Sequence, residues 1–130
     1  MNNIITIAIC YPIICLIAFL LHEYFHIKHA GFKATGTIYV GETGFTASCN
    51  DVWNNTLFFM SGGVLSSIVL FAMCFFITNP TLLFCFWSNA WLQLIYGIYE
   101  GINMSNVKDR WYVYAAVILI TSLIWWWNIV

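Results

Sequence analysis

The sequence predicts an all-α membrane protein of about four transmembrane helices, with a short β-hairpin between the first and the second. Three observations predict it. Hydrophobic residues make up 62% of the 130 and charged residues only 7%, whereas a soluble domain carries about 25% charged residues. So few charges cannot cover a water-exposed surface. Four apolar stretches reach the length of about 20 residues that a helix needs to cross the hydrocarbon core. Between the first two lies a run of Thr and aromatic residues punctuated by glycines, the composition of short paired strands.

The first span runs from about Ile4 to Ile27, with Pro12 as the expected kink. It lacks a basic leading region and is long enough to span, so it is expected to stay in the mature protein rather than to act as a signal peptide. The hairpin covers about residues 36–47, Gly36 to Ala47. Extended backbone is unfavourable in lipid, so this piece is expected at the interface or lining a site. The second span runs from about Val52 to Ile77. Thr78-Asn79-Pro80-Thr81 is a tight turn into the third, from about Leu82 to Glu100. The fourth covers residues 111–130. The spans follow one another too closely for a second domain, so residues 1–130 form a single polytopic unit.

Lys28 and Lys33 follow the first span, and Lys108 and Arg110 precede the fourth. With four crossings all four fall on one side, which the positive-inside rule makes cytoplasmic. The expected location is a multi-pass position in the cell membrane. Trp125, Trp126 and Trp127 would form the outer aromatic belt, and Trp53, Trp111 and Tyr112 the inner one. The net charge of −1 indicates no nucleic-acid partner. The five cysteines include no C-x-x-C pair, which argues against a cysteine zinc site, and their odd number argues against a disulfide framework.

The chemistry lies at the far end of the first span, in His22-Glu23-Tyr24-Phe25-His26. On a helix, two His four residues apart lie on one face, roughly 6 Å apart along the axis. Both imidazoles then reach one tetrahedral Zn2+, and the Glu beside the first reaches a water on the metal. Polar groups at this depth are costly unless they have partners or a task. His22 and His26 are therefore the expected metal ligands and Glu23 the expected general base, with peptide hydrolysis as the natural reaction. His29 lies almost on the same face and is read as a juxtamembrane residue.

A third ligand should come from another span at the same depth. Glu100 is the acidic residue of the third apolar stretch, and Asp109 lies in the loop before the fourth. Depth favours Glu100; Asp109 stays open. Ser61-Gly62-Gly63-Val64-Leu65-Ser66-Ser67 repeats small residues at a spacing of four, which lets helix backbones approach closely. This face of the second helix is expected to pack against the first. Asn89 and Gln93, one turn apart on the third helix, are buried amides that either bind substrate backbone near the site or join neighbouring helices.

On these residues the chain resembles the site-2 protease family of intramembrane zinc metalloproteases. His22-Glu23-x-x-His26 matches the family's zinc motif, and Gly31-Phe32-Lys33 with the following strands is similar to the stretch leading into its membrane-associated hairpin. Ser61-Gly62-Gly63 falls at its Gly-Pro-x-x-Asn segment. Residues Asn89 to Gly101 fall at its Asn-x-x-Pro segment and the Asp-Gly that supplies its third ligand. The departures are the missing Pro after Gly63, Ser66 or Ser67 in place of Asn, and Gln93-Leu94-Ile95-Tyr96 in place of Asn-x-x-Pro. The acid is either Glu100, followed by Gly101, or Asp109, followed by Arg110. The resemblance implies a minimal zinc-dependent endopeptidase cleaving within or near a transmembrane segment of a membrane-protein substrate, with its site toward the cytoplasm. The alternative is a catalytically inactive binding or regulatory protein of the same fold.

Overall fold

The computed structural model describes residues 3–29, 36–41, 44–49, 56–103, 115–116 and 118–124. Among the described residues three long helices dominate: α1 (Asn3–His29), α2 (Thr56–Cys74) and α3 (Pro80–Asn103). Each is long and apolar enough to cross a membrane, and their outward surfaces suit lipid. On α1, for example, Ile4, Ile9, Ile13 and Leu16 are all exposed. α1 continues as helix through Pro12.

Between α1 and α2 the strands β1 (Gly36–Gly41) and β2 (Gly44–Cys49) pair antiparallel, with Gly36 opposite Cys49 and Gly41 opposite Gly44. Both strands lie against α1. Residues 115–116 and 118–124 are helical; the rest of the expected fourth span lies outside the described residues. So do Lys33, Lys108, Arg110 and the Trp clusters on which the expected orientation rests.

The expected tight turn before α3 is a helix cap. The Asn79 side-chain oxygen accepts the backbone N–H groups of Thr81 at 3.0 Å and Leu82 at 3.1 Å. Pro80 fills the first helical position, where no backbone N–H is needed. With the cap at Asn79, α3 starts two residues earlier than the hydropathy suggests. It also runs on to Asn103, so Glu100 sits within the last turns of the helix rather than at its end.

The three helices close on a layer of small and branched residues: Ala18 of α1, Leu70 of α2 and Ala90 of α3. Beside it, Ile14 packs on Phe84 and Cys85. The glycine stripe of α2 serves two neighbours rather than α1 alone. Consecutive helical residues point about 100° apart, so Gly62 and Gly63 face different helices. A Cβ at Gly62 would lie 2.5 Å from His26 Nε2 and 2.8 Å from the His22 carbonyl oxygen, both on α1. A Cβ at Gly63 would collide with the Gly97 backbone of α3, and one at Gly97 would lie 2.7 Å from Gly63 Cα. Here two backbones cross with no side chain between them, the close approach that small residues permit in membranes.

Candidate metal centre

His22 and His26 lie one turn apart on the same side of α1, with ring centroids 4.7 Å apart. This is the consequence the four-residue spacing dictates. α3 meets them from the opposite side. Glu100 Oε2 stands 2.9 Å from His22 Nε2 and 3.5 Å from His26 Nε2, while the two Nε2 atoms are 3.0 Å apart. All three side chains are buried, with residue exposures of 0% for His22, 7% for His26 and 3% for Glu100. Among the described residues they form a group able to offer three ligand atoms to one ion.

Hydrogen bonds on the far side of each ring decide what the near side presents. His26 Nδ1 lies 3.0 Å from the carbonyl oxygen of Phe58. A carbonyl can only accept, so Nδ1–H donates, and in a neutral ring the lone pair then belongs to Nε2, which faces inward. His22 Nδ1 lies 2.9 Å from Gln93 Oε1; in the tautomer that carries its proton on Nδ1, Nε2 is again the acceptor atom. In that tautomer two lone pairs and a carboxylate oxygen converge. Buried acceptors crowded in this way repel unless a cation lies among them.

The surroundings hold the rings in place. Tyr96, wholly buried, packs at 5.1 Å from the His22 ring, and Phe58 packs at 5.2 Å from the His26 ring. Below His26, Gly62 leaves the room a side chain would fill. Glu23 is buried at 3% exposure, one residue beyond His22. Asn89 donates through Nδ2 to the Cys85 carbonyl of its own helix at 2.9 Å. Its Oδ1 and the Nε2 of Gln93 have no hydrogen-bond partner among the described residues. Of the two residues considered for the third position, Glu100 stands beside the His pair, and Asp109 lies outside the described residues.

Three contributors take parts at this site that the sequence does not assign to them. For Gln93 the sequence offers substrate binding or helix joining; its side chain meets His22, and its spacing of seven from Glu100, two turns on one face, is the signal that ties it to the site. Gly62 appeared only as a packing residue. The Phe58 carbonyl has no side-chain signature at all. No protein-family model, curated protein or solved structure matches the chain.

Proposed function

We propose that the chain is a zinc-dependent intramembrane endopeptidase that hydrolyses peptide bonds within or near transmembrane segments of other membrane proteins. The observation that carries this reading is the convergence of His22 Nε2, His26 Nε2 and Glu100 Oε2, with the other nitrogen of each imidazole 2.9 or 3.0 Å from an oxygen outside the centre. The donor set fits zinc. Two imidazoles and a carboxylate are a ligand set of hydrolytic zinc sites, which keep a fourth position open. Bonds of about 2.0–2.1 Å in tetrahedral geometry place ligand atoms roughly 3.3 Å apart, and the observed separations of 2.9, 3.0 and 3.5 Å bracket that value.

Zinc bound there supplies an acidified water and a polarised carbonyl. The chain's own residues supply the rest. Glu23 accepts the proton of the attacking water on its carboxylate and returns it to the departing amine nitrogen. His22, His26 and Glu100 hold their positions through contacts between helices, while Tyr96 and Phe58 keep the walls apolar. The site-2 protease resemblance supports the same reaction and a transmembrane substrate. The basic residues Lys28, Lys33, Lys108 and Arg110 support a multi-pass chain with this end toward the cytoplasm.

Co-expression with a single-span substrate tests the reaction. Wild type is expected to cut it, and Glu23→Gln is expected to retain zinc while losing cleavage. Zinc retention without cleavage by the wild type against a panel of single-span substrates would favour the inactive binding or regulatory alternative.

A further inference from the structure

We infer that Gln93 is a positioning residue that fixes His22 as an Nε2 donor to the metal. The inference rests on the zinc reading above and goes beyond it by assigning a task to a residue that would not touch the ion. His22 is the most enclosed of the three candidate ligands, with no exposed surface, and Gln93 is equally enclosed. With His22 wholly buried, a proton on Nδ1 needs an acceptor from the protein, and the oxygen 2.9 Å away is Gln93 Oε1. The Ser66 hydroxyl approaches the same oxygen at 3.4 Å and also donates to the Gly63 carbonyl at 3.0 Å. Gln93 is in turn held where α2 and α3 cross, since its own carbonyl oxygen is one of the atoms a Cβ at Gly63 would strike.

Each α1 ligand therefore has its own acceptor from a different helix: a side-chain oxygen of α3 for His22 and a backbone oxygen of α2 for His26. Such partners fix the tautomer and ring orientation of ligating His and raise its basicity. The His26 partner cannot be removed by substitution. The His22 partner can.

The test uses the full chain in detergent, with zinc affinity measured by chelator competition. Gln93→Met keeps the volume and removes the strong acceptor; Gln93→Glu keeps the acceptor in the same shape. Gln93→Met is expected to weaken zinc binding roughly 10–100-fold, and Gln93→Glu to hold it within a few-fold of wild type. Equal losses in both variants would reduce Gln93 to packing and overturn the inference, as would wild-type affinity in Gln93→Met. Should Gln93→Met fail to fold, 15N spectra of histidine-labelled, zinc-loaded wild type decide the matter. A protonated Nδ1 and a metal-bound Nε2 on His22 are expected, and metal on Nδ1 would overturn the inference. Failure of the underlying reading looks different: wild type would then bind no zinc, or His26→Ala would bind it unchanged.

Discussion

Ile14, Ala18, His22 and His26 form one ridge of α1, each four residues from the next, yet the two halves of that ridge meet different surroundings. At the first half, Ile14 packs on Phe84 and Cys85, and Ala18 meets Leu70 and Ala90. At the second half, His22 and His26 meet Gln93, Glu100 and the Phe58 carbonyl. The same three helices supply both. The apolar half needs only shape: small residues let the helices close, and contacts accumulate without regard to direction. The polar half needs direction as well, because every lone pair there must find a proton or a cation. The contrast separates a part of the bundle held by shape from a part held by directed polar contacts.

The largest effect is expected at the polar half. Glu100→Ala removes the acid that α3 brings to the two imidazoles, and near-complete loss of retained zinc is expected by elemental analysis. Helical content should persist, because the apolar half is untouched; circular dichroism reads that directly. A variant that loses its fold together with its zinc would show that the two halves are one structural unit.

Gly62→Ala probes the same half more gently. The added Cβ would stand 2.5 Å from His26 Nε2, closer than real contacts allow, so the imidazole must swing away. A drop in zinc affinity of roughly tenfold or more is expected, the scale on which disturbed ligand orientation usually acts. Unchanged affinity would mean that Gly62 is only a packing glycine.

Leu70→Ala belongs to the apolar half. It opens a cavity beside Ala18 and Ala90 and is expected to cost about 2–3 kcal/mol in reversible unfolding. Zinc content should stay at the wild-type level. A coupled loss of zinc would erase the distinction between the two halves. The smallest effect is expected outside both, at the start of α3. Asn79→Ala removes the acceptor for the Thr81 and Leu82 N–H groups and should cost about 1 kcal/mol, again with zinc retained.

These regions were not equally legible in the sequence. The His pair was, because a spacing of four on a helix fixes two side chains on one face whatever surrounds them. Glu100 was legible through depth: an acidic residue near the end of an apolar stretch is costly and so points to a partner. The buried ridge of α1 was hidden, since that helix is apolar nearly all round and its periodicity carries no signal about which side faces the bundle. The glycine stripe was read as facing α1, whereas Gly63 turns to α3. Which neighbour each glycine meets depends on how the helices cross, and hydropathy does not encode that. The bond from His22 to Gln93 was hidden for the same reason, and the Phe58 carbonyl belongs to a backbone that every residue shares. The start of α3 was misplaced by two residues because Asn79-Pro80 was read as a turn, although the same pair makes a good cap and first helical position.

The proposal stands or falls on whether His22, His26 and Glu100 together hold one divalent ion inside the bundle. Elemental analysis of the purified full chain beside His22→Ala decides it. About one zinc per wild-type chain and none in the variant is the predicted result. A metal-free wild type that cannot be loaded with zinc, or a His22→Ala protein that keeps its full zinc content, would contradict it.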